Sequence, residues 1–338
     1  MKGLHSDSIS IVDIAGDPLN FTYNEICGAI GENNAKLLYS FLYKSETNKN
    51  ARSIWIKEVI ENTEAKKYIF ELRDQRYIET VSIGRRTGVT ACVSTQVGCP
   101  VQCVFCQSGR CGFIRNLSTS EIVGQVIYLK ERVNRIAFMG IGEPLFNYDA
   151  LIKAIHILRD RNGLDFPTDG ITISTVGAVK QLKKIREEHI KIQLVLSLHA
   201  TTQQVRDRII PAMRGNDINE TVKAALSYSK RHNRKLVVAY LLLDGINDST
   251  SDVKKLVEWF KGENVMINLL EYNQTTGSLV KAANKGRLER FKNGLSACGI
   301  ETIIRASRGR NIKAACGQLA ARYNANAKRN RLPFSGYD

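Results

Sequence analysis

The chain has 338 residues, 43% of them hydrophobic, and carries 49 Lys and Arg against 33 Asp and Glu, a formal net charge of +16. That composition can bury one large core or two domains, and no apolar run is long enough to span a membrane. The basic excess favours a polyanionic partner. Eight cysteines without an apolar leader behind Met1-Lys2 argue against a secreted disulfide scaffold and for a cytoplasmic chain without a membrane partner.

Residues 23–30, 35–43 and 53–62 carry helical spacing of their apolar positions, with a polar loop expected at 45–51. From Tyr68 the pattern turns to strands. Tyr77, Glu79 and Val81 alternate with Ile78, Thr80 and Ser82, a second run covers 89–94, and 84–88 reads as the turn between them. The expectation is a small, mostly helical amino-terminal domain over 1–67, followed by a main domain over 68–305 and a carboxy-terminal extension over 306–338.

Downstream of a cysteine-rich stretch the chain alternates strands and helices. Strand candidates are 135–140, 170–175, 192–198, 236–243, 265–270 and 302–306; helical segments are 119–133, 148–161, 178–188, 218–232, 251–262 and 285–298. Ser118 with Glu121, and Asp217 with Glu220, have the spacing of helix amino-terminal caps. Apolar strands alternating with amphipathic helices predict an α/β fold with a parallel sheet, in six units: a partial (βα)6 barrel with its chemistry at the carboxyl ends of the strands.

The stretch Cys99-Pro-Val-Gln-Cys103-Val-Phe-Cys106 sets three thiols at Cys-x3-Cys-x2-Cys spacing. Three thiolates can hold a four-iron cluster from one loop and leave one iron open to a small molecule, whereas structural zinc takes four closed ligands. The blander alternatives are a zinc site with a fourth ligand, Cys111 being close, or buried structural thiols. Cys27 and Cys298 fall on helical patterns and are expected as small core residues.

The triplet is the signature of the radical S-adenosylmethionine (SAM) superfamily. With it stand Cys92-Val-Ser-Thr-Gln-Val-Gly-Cys99, Phe138-Met-Gly-Ile-Gly-Glu-Pro-Leu145, Ile173-Ser-Thr-Val-Gly177, Ser197-Leu-His199 and Ala314-Ala-Cys-Gly-Gln-Leu319. Together these blocks resemble the RlmN/Cfr family of RNA adenine methyltransferases. The resemblance implies a radical SAM barrel with a [4Fe-4S] cluster on Cys99, Cys103 and Cys106, and SAM used twice per turnover. It implies cofactor contacts from Gly142, Glu143, Ser174, Ser197, Leu198, His199 and Asn273. It further implies Cys316 as the methyl carrier, Cys92 as its disulfide partner in resolving a protein–RNA adduct, and Glu79 as proton acceptor. The implied partners are ribosomal RNA, with transfer RNA as a second candidate, and an electron donor such as flavodoxin or ferredoxin.

Gly142-Glu-Pro-Leu145 and Arg308-Gly309 are closer to RlmN than to Cfr, which favours carbon 2 of adenine over carbon 8. Asn311-Ile-Lys313 departs from the acidic residues that family members generally carry there, and leaves carbon 8 or a non-RNA substrate as the alternative. Arg305, Arg308, Arg310 and Lys313 precede Cys316 with no acid among them. They are expected to favour its thiolate and to contact phosphates, with a solvated basic face as the plainer reading.

Overall fold

The computed structural model describes residues 9–44, 53–85, 88–275 and 277–320. The expected loop at 45–51, part of the turn expected at 84–88, and the carboxy-terminal extension from residue 321 lie outside the described residues. Three helices open the chain: α1 (Ile11–Gly16), α2 (Tyr23–Ile30) and α3 (Glu32–Lys44). Four strands follow: β1 (Ile54–Glu61), β2 (Ala65–Leu72), β3 (Tyr77–Arg85) and β4 (Gly88–Cys92). They form an antiparallel meander.

The helix expected over 53–62 is instead β1. Its β-branched and aromatic residues fit a pleated surface, and its alternation is broken by an irregularity between Ile56 and Glu58 in the pairing with β2. That extra residue blurs the two-residue period and mimics helical spacing. The helical part of the described amino-terminal region therefore ends at Lys44, and Lys67 and Tyr68 lie inside β2.

A short hairpin, β5 (Gln96–Gly98) with β6 (Phe113–Asn116), brackets the one-turn helix α4 (Gln107–Arg110). Then come α5 (Thr119–Ile127), β7 (Val133–Phe138), α6 (Tyr148–Arg159), β8 (Ile171–Thr175), α7 (Val179–Glu187) and β9 (Gln193–Ser197). The chain continues through α8 (Gln203–Ile209), α9 (Ile218–His232), β10 (Leu236–Leu241), α10 (Thr250–Phe260), β11 (Val265–Leu270), α11 (Lys285–Ala297) and β12 (Glu301–Arg305). The expected caps are present: Ser118 and Glu121 form a capping box, and Asp217 accepts the Glu220 amide. Cys298, expected in the core, caps the solvent end of α11 and is exposed.

The strands form one open ten-stranded sheet in the order β1-β2-β3-β4-β7-β8-β9-β10-β11-β12. The six strand–helix units read from the sequence are β7 to β12, and β4 pairs parallel to β7 ahead of them. On one face Ile136, Ile173, Leu196, Val238 and Leu269 bury against Leu158, Leu182, Val222, Leu256 and Leu295 of the helices. Paired residues share a face, so the other face carries Glu79, Val81, Cys92, Ala137, Ser174, Ser197, Ala239 and Asn268. Among the described residues no helix is long and apolar enough to cross a membrane.

Gln125 of α5 locks the meander to the first crossover helix. Its oxygen accepts the Thr80 hydroxyl at 2.7 Å and the Ser94 amide at 2.8 Å, and its amide donates to the Ser94 and Glu121 carbonyls. Gln125→Leu strands several of these buried groups, and the expected loss is roughly 2–4 kcal/mol of unfolding free energy. Urea denaturation of parent and variant measures it.

Candidate active site

The loop after β5 turns on Gly98, whose φ of 77° is in the left-handed region. A Cβ there would sit 1.9 Å from the Gly112 carbonyl oxygen, which instead accepts the Cys99 amide at 3.0 Å. The loop buries Cys99 and Cys103 and half-buries Cys106. Burial pushes all three thiols above their ordinary range, and the sulfurs reinforce it: Cys106 raises Cys99, and Cys106 and Cys99 raise Cys103. Cys106 is partly relieved by the Gly109 and Ser108 amides. Among the described residues no three His, Cys, Asp or Glu side chains close around a single-ion site. Three thiols within electrostatic reach, two of them buried, fit a cationic cluster that spreads its ligands over several irons, since such a partner reverses the cost of ionising them.

Gly142 and Glu143 follow β7. Gly142 has φ 112°, and a Cβ would come within 2.8 Å of the Thr95 and Gln96 side chains. The Glu143 amide donates to Gln96 Oε1 at 2.8 Å, while its carboxylate accepts the Leu145 amide at 3.2 Å and the Val176 amide at 2.9 Å. Burial pushes its pKa up to about 7, against those hydrogen bonds and one from Thr175. Glu143 acts on both Cys99 and Cys103, so this carboxylate and the thiol loop share one site.

Ser174 and Ser197 end β8 and β9 with hydroxyls 3.1 Å apart. His199, at φ 55°, accepts the Leu241 amide on Nδ1 at 3.0 Å, which leaves its proton on Nε2. Burial holds its pKa down at about 3, with Arg206 adding to the effect, so the ring is neutral. Leu198 is fully buried, and its carbonyl accepts Arg206 Nη1 at 2.6 Å; Arg206 Nη2 donates to the Val176 carbonyl. Asn273 donates its side-chain amide to the Cys316 carbonyl at 3.1 Å. Among the described residues its Oδ1, like that of Asn268, is buried without a partner. Two orphaned carbonyl oxygens at one sheet end fit a polar cofactor.

The carboxy-terminal segment 309–320 lies across β2, β3 and β4. Ala314 and Leu319 pack with Ala65, Val81, Ile83, Cys92 and Ala137 in a small apolar cluster. The Gln107 amide donates to the Gly317 carbonyl at 2.8 Å, Ser108 Oγ to the Leu319 carbonyl at 2.6 Å, and the Ala320 amide to Glu79 Oε2 at 3.1 Å. Cys316 is exposed and close enough to Cys106 to raise its pKa. None of the eight cysteines is in a disulfide. Two of the four basic residues ahead of Cys316 are engaged elsewhere: Arg308 donates to the Gly84 carbonyl at 2.8 Å, and Arg310 pairs with Glu271.

Every site residue singled out from the sequence thus stands at the carboxyl end of the parallel strands or on the sheet face beside it. The sequence reading missed Lys67, Gln96, Arg206 and Asn268. A lysine within the apolar run of β2 is a signal that could have been read; Arg206, in a polar helix, gives none.

A model of the radical SAM superfamily matches residues 93–260. A probable RNA methyltransferase of Rhodopseudomonas palustris is 48% identical over 255 residues, which cover 75% of this chain and 71% of that protein. A probable dual-specificity RNA methyltransferase RlmN of Pseudothermotoga lettingae is 43% identical over 260 residues, 76% of each. The crystal structure of a radical SAM methyltransferase from Sphaerobacter thermophilus superposes with a TM-score of 0.85 at 29% identity, covering 90% of this chain and 99% of that one.

A buried neutral histidine makes stability depend on pH. With its folded pKa at about 3 against an ordinary 6.5, His199 leaves only the unfolded chain to gain a proton as pH falls through that window. Its contribution is therefore full above 6.5 and lost on acidification, by up to roughly 1.4 kcal/mol per pH unit. His199→Asn tolerates the left-handed backbone and removes this slope. The difference in unfolding free energy between parent and variant, followed by denaturant titration from neutral to acid pH, should change by that amount.

Proposed function

The chain belongs to the radical SAM RNA methyltransferases of the RlmN type, and from that premise we propose that it methylates carbon 2 of an adenine in RNA. The proposed substrate is ribosomal RNA, with transfer RNA second, and the route runs through a methylated Cys316 and a Cys316–Cys92 disulfide. The observation that carries this reading is the position of the segment bearing Cys316. It crosses the sheet face that bears Cys92 and Glu79 and is tied to the thiol loop by two hydrogen bonds. The net charge of +16 supports a polyanionic substrate.

Cys99, Cys103 and Cys106 would hold the [4Fe-4S] cluster. Gly142, Glu143, Ser174, Ser197, Leu198, His199 and Asn273 would line the SAM pocket. When bound, this pair supplies the methyl group and, with an electron from a donor such as flavodoxin or ferredoxin, the hydrogen-abstracting radical, at two SAM per turnover. The chain's own residues then have separate tasks. Cys316 carries the carbon to the base. A methyl group can replace hydrogen on an adenine carbon only if that hydrogen leaves, so a base is required, and Glu79 would fill that role. The Cys92 thiolate would bond to the Cys316 sulfur as the carbon–sulfur bond breaks, and the released carbon, keeping that bond's electron pair, would take up a proton, leaving the methylated base and a Cys316–Cys92 disulfide.

The target base must leave any stack to reach this site. The helices α1 to α3 would form an accessory part, and residues from 306 onward the extension that carries the reactive cysteine. The same chemistry on carbon 8, or on a substrate other than RNA, is the second reading, favoured by the departure at Asn311-Ile-Lys313.

Cys316→Ala should abolish methylation while the protein still binds iron and shows the cluster's absorption; Cys103→Ala should lose both. Nucleoside mass spectrometry of RNA incubated with each protein reads the methyladenine, and methylation surviving in Cys316→Ala would overturn the methyl-carrier role.

A further inference from the structure

Lys67 stands on β2, two places from the apolar Ile69 and opposite Val81 on β3. It points to the same sheet face as Glu79. Its Nζ is 3.8 Å from Glu79 Oε1, and the two side chains are 3% and 1% exposed. The other carboxylate oxygen accepts the Ala320 amide at 3.1 Å, four residues from Cys316. One oxygen is therefore held by the sheet and the other faces the segment that carries the reactive sulfur.

A buried ion pair gains little stability over an apolar pair of similar volume. The surroundings are suited to an apolar pair: Ala65, Val81, Ile83, Cys92 and Ala137 line this face. In such a pocket a carboxyl group with no cation beside it would keep its proton and could not act as a base. The other titratable groups described on this face of β1 to β4 are Glu58, Glu71, Tyr77 and the Cys92 thiol, and Glu71 holds both the Tyr77 hydroxyl at 3.0 Å and Lys57 Nζ at 3.3 Å. Cys316 lies on the covering segment, where Glu64 is occupied by the Gly309 amide. Among the described residues Lys67 and Arg206 are the buried cations, and Arg206 is held at the ends of β8 and β9; on the covering segment Arg310 is paired with Glu271 and Lys313 is exposed.

We propose that Lys67 is a positioning residue that keeps Glu79 ionised and aimed at the Cys316 segment, so that Glu79 can accept a proton from the adenine carbon during turnover. The inference rests on the reading of Glu79 as proton acceptor. The step is a proton transfer alone: the C–H bond of the adenine carbon breaks, the O–H bond of Glu79 forms, and the bonding pair stays with the adduct, so no oxidant is consumed.

The test compares the reconstituted full-length parent with Lys67→Gln, Lys67→Arg and Glu79→Gln in single-turnover methylation from about pH 5 to pH 9, with the covalent protein–RNA adduct followed by mass spectrometry. In Lys67→Gln that still carries its iron, the acid limb of adduct resolution should move up by about one pH unit or more, and resolution near neutrality should slow about tenfold. Lys67→Arg should restore the parent limb. A Lys67→Gln protein with the parent's pH profile overturns the inference. If Glu79→Gln resolves the adduct at the parent rate, the reading of Glu79 falls instead; if it stalls while Lys67→Gln behaves as the parent, only the role of Lys67 falls. Should Lys67→Gln fail to load iron, the parent limb decides. A limb below about pH 5 supports a carboxylate held ionised, and one at about pH 6 or above overturns it.

Discussion

Strand register is the constraint on which the site depends. Side chains alternate across a strand, so a slip of one residue in β3 would turn Glu79 and Val81 to the helices and bring Ile78 and Thr80 to the opposite face. The register is fixed from both sides. Ile78 packs in the helix-side core, and the Thr80 hydroxyl is donated to Gln125 of α5. The same register carries across β4 to β7, where Cys92 is paired with Ala137. Ser174 and Ser197 then fall on that face one and two strands beyond β7.

What the register gathers is costly to hold. One sheet end contains the buried Cys99 and Cys103 thiols, the half-buried Cys106, the buried Glu143 carboxyl and the fully buried Arg206, with the buried Lys67–Glu79 pair on the face beside it. Arg206 donates to the carbonyls of Val176 and Leu198, and burial lowers its pKa to about 10, which leaves it charged at neutral pH. It thus ties together the ends of β8 and β9 and sets a fixed positive charge near Cys103 and Glu143. A chain selected for stability alone would replace such groups by apolar ones. Their presence together at one sheet end is the mark of a site prearranged for charged partners, in keeping with the cluster, the cofactor and the polyanionic substrate proposed for it.

Local chemistry was legible in the sequence and cross-strand chemistry was not. The thiol triplet, the Gly142-Glu143 turn and Cys316 stand in contiguous blocks, and α2 and α9 follow the apolar spacing residue for residue. The strand β1 was misread because its bulge breaks the period that identifies a strand. Lys67 and Arg206 escaped notice for a different reason. Each acquires its meaning from a partner on another element, 12 residues away for Glu79 and 30 for the Val176 carbonyl, and no spacing rule reports such pairs. The basic run before Cys316 shows the converse, since folding commits Arg308 and Arg310 to groups in the protein.

The most direct test of the central claim, transfer through a methylated cysteine, is methylation with SAM whose donated methyl group is fully deuterated. If Cys316 carries the methyl group, and hydrogen is abstracted from it before carbon reaches the base, the methyladenine must have exchanged one deuterium for hydrogen, visible in nucleoside mass spectrometry. A product that keeps the methyl group intact, with all of its deuterium, would contradict the account.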